Sequence, residues 1–420
     1  MTGDLALGVD VGTSGIRAAA LGADGVVAAH ASAAMADHGS DRRDPAAWRA
    51  TLQAAMAGLF KTLPPERIGA VAVDGTSGTV LGLDAQGDPV GGALMYDDAV
   101  DDPAIPAAIA AVAPRESAAH GAASALARAI VMQERPGVRR IVHQADWIAS
   151  LLAGAPVGSD ESNALKSGYD PVARRWPDWL GETPLRAGLL PPVVAAGDQT
   201  GTTSGSFGLP RGAAVIAGVT DGCASFLATG ANQAGDGVTA LGTTLTLKLL
   251  SDKPVFAPEH GIYSHRIGDT WLAGGASNTG GGVLAEHFTP ELIAELSARI
   301  DPQADSGLDY YPLRGPGERF PVSDPDHPPR LSPRPADDAQ FLHGLLEGMA
   351  RIEALGYRRL SEFGAPKLTA LRTVGGGAAN PAWTALRARI VGTPLAEVAS
   401  EDACVGVARL ALRRLASPGS

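Results

Sequence analysis

Twice this chain interrupts an apolar, strand-like run with the same short string of polar and small residues. "LALGVDVGTSGIRAAAL" (Leu5 to Leu21) breaks at Asp10, Gly12, Thr13, Ser14 and Gly15, and "AVAVDGTSGTVLGL" (Ala70 to Leu83) repeats the break with Asp74, Gly75, Thr76, Ser77 and Gly78. A third break, Gly242-Thr243-Thr244 in "VTALGTTLTLKLL", lies in the second half of the chain. Each reads as strand, tight turn, strand, and the turn sequences "GADG" and "DAQG" that follow the first two suit chain reversal. Neither of the first two breaks carries the lysine, nor opens the helix, that a P-loop requires. Two halves that each begin with a glycine-kinked hairpin predict duplicated domains facing a cleft.

The rest of the chain agrees with an α/β protein. In "DPAAWRATLQAAMAGLF" Asp44 is placed to cap a helix, Pro45 stands in its first turn, and Trp48, Leu52, Met56 and Leu59 share one face. The segment "FLHGLLEGMARIEALGYRRLSEFG" predicts a longer helix with Phe341, Leu345, Met349 and Ile352 inward and Gly364 at its end. Helices alternating with strands imply α/β architecture. A hairpin is predicted for "GIYSHRIGDTWLAGG", turning at Gly268-Asp269, and the proline-laden "GPGERFPVSDPDHPPRLSPRP" reads as a long surface loop. The terminal "ASPGS" reads as a frayed tail.

At 420 residues the chain exceeds one comfortable core, so two domains are expected. A formal net charge of -11 argues against a general affinity for nucleic acid or anionic membranes, so an anionic ligand must be held by local groups or a metal. No apolar run approaches a membrane span and the start lacks the pattern of a secretion signal, which predicts a cytoplasmic protein. Cys223 and Cys404 make no disulfide framework, and the nine histidines show no zinc-ligand spacing.

A glycine-hydroxyl turn lets the backbone approach a ligand closely, while adjacent N–H groups converge on anionic oxygens. Thr13 and Ser14 add donors, and Asp10 is a candidate for holding a cation. A plain hairpin with a polar turn is the alternative for any one of them. The strand in "VIAGVTDGCASFLATG" ends at Asp221, which either caps the following helix or serves as a general base; the carboxyl end of a strand in an α/β sheet points into the ligand crevice, which favours the base. In "TVGGGAANPAWTALRARIVG", Gly375, Gly376 and Gly377 approximate a dinucleotide fingerprint, but Asn380 stands where the last glycine or alanine belongs. Asn380 and Pro381 read instead as the start of a helix packing Trp383, Leu386 and Ile390, with the glycines as a flat floor for an adenosine or simply a close-packed turn. Asp146, Asp160 and Asn163 read as caps and solvated turns. Lys166 in "NALKSGYD" is expected to face a ligand.

Taken in order, "VDVGTSG", "GVTDG", "LGTTLTLK", "GGASNTGG" and "GGGAANPAW" resemble the FGGY carbohydrate kinases, a family of the actin-like ATPase superfamily. The resemblance implies two actin-like (ribonuclease H-like) domains with an interdomain cleft: a sugar-binding domain over residues 1–229, a nucleotide-binding domain over 230–400, and a C-terminal helix within 401–420 packing back at their junction. It also implies ATP and Mg2+, with Asp10 positioning the metal. Gly12, Thr13, Ser14, Gly242 and Thr243 would surround the transferring phosphate, Gly375, Gly376, Gly377 and Asn380 would line the adenosine pocket, and Asp221 would be the base. "MYDDAV" replaces the Trp-x-Asp-x-Arg sugar-contact stretch of typical xylulokinases and glycerol kinases. "HQADW", "SDESNALKSGYDP", "GIYSHR", "LDYYPL" and "GERFPVSDPD" are similar to the short D-ribulokinase branch of plants and cyanobacteria, which points to D-ribulose held by Asp74, Thr76, Ser77, Lys166 and Asp221. D-xylulose or another pentulose or polyol is the rival substrate. An actin-like ATPase acting on a protein partner and a nicotinamide dehydrogenase are the more distant alternatives.

Overall fold

A computed structural model describes residues 3–416; the tail expected beyond the last helix falls at 417–420, outside the described residues. The chain divides into two compact units, the first made of residues 3–230, 265–269 and 402–416, the second of residues 231–264 and 270–401.

In unit 1, strands β1 (Leu5–Val11), β2 (Gly15–Leu21) and β3 (Val27–Ala34) run antiparallel. Helix α1 (Pro45–Leu59) starts where the sequence places it, with the Asp44 carboxylate accepting from the Ala46 N–H at 2.9 Å and Trp48, Leu52, Met56 and Leu59 all buried. Strand β4 (Ile68–Gly75) lies parallel to β1 and puts Asp74 directly opposite Asp10. After it come β5 (Val80–Leu83), α2 (Ala104–Val112), α3 (Ala125–Met132), β6 (Arg140–His143), α4 (Gln144–Ala153), β7 (Ser159–Asp160), α5 (Glu161–Ala164), β8 (Val193–Val194), β9 (Gln199–Ser204), β10 (Arg211–Thr220) and α6 (Asp221–Ala228). The main sheet has the order β3-β2-β1-β4-β10-β9, and its central strands β1, β4 and β10 are mutually parallel.

The second kink is therefore not a copy of the first. Gly12 to Ser14 do join an antiparallel hairpin, closed by a Gly12 N–H to Gly15 carbonyl bond of 3.0 Å. After Asp74 to Gly78, however, the chain leaves the sheet, and β5 pairs with β6 in a separate ladder. What fixes β4 is its long-range parallel pairing on both edges, which a local reading does not contain.

Unit 2 repeats the first half of this plan. Strands β11 (Asp236–Leu241) and β12 (Leu245–Ser251) form the expected hairpin through Gly242-Thr243-Thr244. Next are β13 (Tyr263–Ile267), whose residues 265–267 are assigned to unit 1, β14 (Thr270–Ser277), α7 (Gly281–Ala285), α8 (Pro290–Ser297), α9 (Asp338–Glu362), β15 (Ala370–Val374) and α10 (Pro381–Val391). The sheet order is β13-β14-β12-β11-β15, with β15 parallel to β11 as β4 is to β1. The glycines after β15, Gly375 to Gly377, thus occupy the topological place that Gly75 to Gly78 occupy after β4. Phe341, Leu345, Met349 and Ile352 of α9 are buried as expected, whereas Ile390 of α10 is only half-buried.

One expectation about the loops fails. The proline-rich segment is irregular, yet it is not confined to the surface, because Phe320 is fully buried. Its ring fills space that a Cβ on Gly275 would enter at 2.5 Å and one on Gly356 at 2.8 Å. Two glycines, on β14 and α9, make room for one aromatic anchor.

The last helix, α11 (Ala403–Ala416), covers the unit 1 sheet and packs on α6. Small residues permit this approach: a Cβ on Gly406 would lie 1.8 Å from the Ala224 carbonyl oxygen, and one on Gly8 1.9 Å from that of Cys404. Gly406→Ala is expected to lower unit 1 stability by about 1–3 kcal/mol, the usual cost of forcing atoms into a filled core, read as a shift of the urea midpoint.

Candidate active site

Three parallel strands bring three acidic side chains to one edge of unit 1. Asp10 is the penultimate residue of β1, Asp74 the penultimate residue of β4 beside it in register, and Asp221 follows Thr220, the last residue of β10, which pairs with Gly75. Register partners on adjacent strands share a face, so Asp10 and Asp74 project to the same side. Asp10 is 5% exposed and Asp74 is completely buried. Arg17, the register partner of Asp10 on β2, donates to its Oδ2 at 3.1 Å.

Asp74 has no such donor, and both of its carboxyl oxygens lack a protein hydrogen-bond partner. Burial first, then the charge of Asp10 and the close carboxyl-to-carboxyl approach to it, and then the charges of Asp221 and Asp160, push its pKa well above the usual carboxylate range. The shift favours the protonated form, which can donate as well as accept. Asp221 is the first residue of α6, and its Oδ1 accepts from the Gly222 N–H at 2.7 Å; the cap position itself belongs to Thr220. A helix start favours the ionised form of such a carboxylate.

The second kink separates into two kinds of hydroxyl. The Thr76 hydroxyl is engaged, 2.7 Å from Gln144 Oε1 and 2.7 Å from Thr79 Oγ1. Ser77 Oγ has no partner within the protein. Ser77 and Asp74 therefore retain unsatisfied capacity that a polyhydroxyl ligand would fill, and Thr76 instead braces the turn. Lys166 sits half-buried in the 3-10 turn Leu165–Ser167, directly after α5. Asp160 caps α5, accepting from the Ser162 and Asn163 N–H groups at 2.8 and 2.9 Å, and Asp146 caps α4 through the His143 N–H at 3.0 Å. Both caps were legible, but neither is solvated: these residues and Asn163 are buried.

In unit 2 the Gly242-Thr243 turn rests on the start of α7, its two carbonyls accepting from the Gly281 and Gly282 N–H groups at 2.8 and 3.0 Å. Beyond α7 lies a cavity of 510 Å³ lined by Leu241, Leu284, Phe288, Gly377, Asn380 and Trp383 among others. Asn380 caps α10 as expected, its side-chain oxygen accepting from the Trp383 N–H at 3.0 Å while its amide donates to Ser297 Oγ at 2.8 Å. Gly375 has φ of +87°, and a Cβ on Gly377 would collide with the Trp383 ring at 2.4 Å. The result is a glycine floor beneath an apolar slot of ligand size.

Residues 237–415 match the C-terminal domain of the FGGY family of carbohydrate kinases. FGGY kinases are phosphotransferases with an alcohol acceptor. Over 293 residues, 63% of the chain, it is 27% identical to an autoinducer-2 kinase of Yersinia enterocolitica. Those residues are 55% of that protein, so the chain spans about half the length of the curated relatives it matches. Among solved structures, a xyloylose kinase from Brucella ovis superposes with a TM-score of 0.84 at 22% identity, covering 99% of this chain and 91% of that one. The xylulose kinase of Bifidobacterium adolescentis gives 0.81 at 20% identity over 98% and 93%. Glycerol kinase of Plasmodium falciparum, solved with ADP, gives 0.83 at 15% identity over 99% and 90%. The fold is that of the two-domain FGGY sugar kinases, an actin-like ATPase fold. The family match runs through α11, although that helix packs in unit 1.

Three residues of this site escaped the sequence reading. Arg17 shows only as a lone basic residue in the apolar "GIRAAAL", and its offset from Asp10 across a hairpin is the signal that finds it. Arg128 is 2% exposed and donates to the carbonyls of Gly78, Tyr96, Asp98 and Ala123, tying the second kink to the "MYDD" loop. Burial lowers its pKa to about 10. An arginine inside the apolar helix "ALARAIVM" was the available clue. His143 is buried with Nδ1 3.0 Å from both Asp146 Oδ2 and Ser159 Oγ and Nε2 3.0 Å from Ser167 Oγ, anchoring the turn that carries Lys166.

Proposed function

We propose that this chain is an ATP-dependent kinase that phosphorylates the terminal primary hydroxyl of a ketopentose, converting D-ribulose to D-ribulose 5-phosphate in the cytoplasm. The observation that carries the reading is the row Asp10, Asp74 and Asp221 at the carboxyl ends of three adjacent parallel strands, with the Asp74 oxygens and Ser77 Oγ left unsatisfied beside them. Unit 1 supplies the sugar subsite and the base, and unit 2 supplies the nucleotide pocket, where the 510 Å³ slot fits an adenosine between Trp383, Asn380 and the glycine floor.

In this reading Asp74, Ser77 and Lys166 orient the sugar, with Thr76 holding the turn, and Asp221 accepts the hydroxyl proton. The transfer has a loose transition state in which deprotonation is late, so an ionised carboxylate at a helix start suffices. Gly12, Thr13 and Ser14 of unit 1, and Gly242 and Thr243 of unit 2, each offer backbone and hydroxyl donors that can stabilise the charge of a phosphoryl group. Among the described residues no group of three His, Cys, Asp or Glu side chains is placed to hold a metal ion. Magnesium usually takes one or two carboxylates and completes its shell with water and phosphate oxygens. Asp10 would be its protein ligand, and the chemistry supplied there is neutralisation of phosphate charge.

The test is ADP release with D-ribulose, D-xylulose, L-ribulose, gluconate, glycerol and autoinducer-2 as acceptors. The highest kcat/KM is expected with D-ribulose. A preference for another acceptor would keep the kinase and replace the sugar; ADP release indifferent to every acceptor would favour an ATPase working on a protein partner.

A further inference from the structure

The Gly242-Thr243 turn carries no lysine, and the amides that would ordinarily make a helix start attractive to an anion are already used. Gly281 and Gly282, the first residues of α7, donate to the turn's own carbonyls. An anion at this turn therefore meets hydroxyls and backbone on the exposed side but no charge from the helix start. On a chain of net charge -11, a polyanion held there needs a cation.

Arg314 is a cation packed against this turn. The position a Cβ on Gly282 would occupy is 3.0 Å from Thr243 Cγ2, 3.1 Å from the Thr243 carbonyl oxygen and 3.3 Å from Arg314 Cδ. Arginine stem, glycine and turn meet at one point, and no side chain fits between them. The Arg314 side chain is 60% exposed and its Nε donates at 2.7 Å to Oε1 of Glu286, whose side chain is 40% exposed and which follows the last residue of α7. Exposed pairs of this kind contribute little to stability, so the arginine gives up little by changing partner. Its planar fork suits phosphate oxygens, which it can grip in two places at once.

We propose that Arg314 is a phosphate-binding arm of the nucleotide site, leaving Glu286 to donate to the phosphate chain of a nucleoside triphosphate seated at Gly242-Thr243. Glu286 holds the arm beside the turn while the site waits. This rests on the reading of unit 2 as the nucleotide pocket; Arg314 is not among the residues lining the adenosine slot.

The full chain, titrated calorimetrically with ATP, ADP and adenosine, tests it. Arg314→Gln is expected to weaken ATP about tenfold and ADP less, leave adenosine unchanged, and flatten the salt dependence of ATP binding, with Arg314→Lys recovering part of the loss. Glu286→Gln is expected to tighten ATP severalfold. Equal ATP affinity in the wild type and Arg314→Gln would overturn the arm while leaving the pocket intact. Loss of adenosine together with ATP in Arg314→Gln would mark a purely structural arginine and overturn it too. A wild-type chain that binds none of the three would overturn the pocket and, with it, the arm.

Discussion

Asp221→Asn should remove nearly all sugar-dependent ADP release, by about 10²- to 10⁴-fold, the range of a lost general base. ATP affinity should not change, since Asp221 belongs to unit 1 and the adenosine slot is built from unit 2 side chains. The substitution keeps shape and removes charge, so α6 should still start at Thr220. The split matters: a fall in kcat with unaltered nucleotide binding assigns Asp221 to the chemistry, whereas wild-type turnover in the variant would take it out of the mechanism. Asp221 is also one of the charges that push the Asp74 pKa upward. Its neutralisation should ease that push, so sugar KM measured against pH should differ between wild type and variant even where kcat is too low for other comparison.

The second large effect is on stability. Arg387 and Glu353 are both buried in unit 2 and pair twice, at 2.6 Å from Nε to Oε2 and 2.6 Å from Nη2 to Oε1. Thr239 of β11 donates to the same carboxylate at 2.6 Å and lies 2.9 Å from the Tyr357 hydroxyl, while Arg387 Nη1 reaches Thr373 of β15 at 2.7 Å. The pair thus pins α9, α10, β11 and β15 together. Arg387→Leu leaves a buried carboxylate without its cation and should cost about 3–5 kcal/mol. The double variant Arg387→Leu with Glu353→Leu removes both charges and should recover much of that loss, because the desolvation penalty of the pair disappears with it. Guanidinium unfolding of the three proteins checks this; a double variant no more stable than the single one would mean that the network organises unit 2 in a way apolar packing cannot replace. ATP binding should fall in the single variant, since Thr373 leads into Gly375 and α10 carries Asn380 and Trp383.

Which parts of this were readable in the sequence follows from how local each signal is. Helix caps such as Asp44 and Asn380 declare themselves because donor and acceptor lie within three residues of each other. The hairpins at Gly12 and Gly242 are equally local. Asp74 is different: its role depends on β4 pairing with β1 and β10, partners that lie far away in the chain, so the second kink imitated a hairpin that does not form. The same limit hid the difference between Thr76, bonded to Gln144, and Ser77, bonded to nothing in the protein. Arg17, Arg128 and Arg314 carry little signal in the sequence, because a basic residue shows its purpose only when its partners are in place. Phe320 was hidden by its prolines, and only the glycines facing it across two other elements reveal the pocket it fills.

The path of the chain through unit 1 has a bearing on how the protein is made. Unit 1 begins at the start of the described chain, is interrupted after residue 230, and is completed only by residues 402–416, so unit 2 is threaded into it as an insert. On the ribosome the sheet of unit 1 must wait, one flank bare at Gly8 and α6, until the whole of unit 2 has emerged. A fragment cut at the unit boundary would keep that exposed apolar flank and should precipitate, while the excised insert, with its own five-stranded sheet and core, is the piece more readily prepared alone.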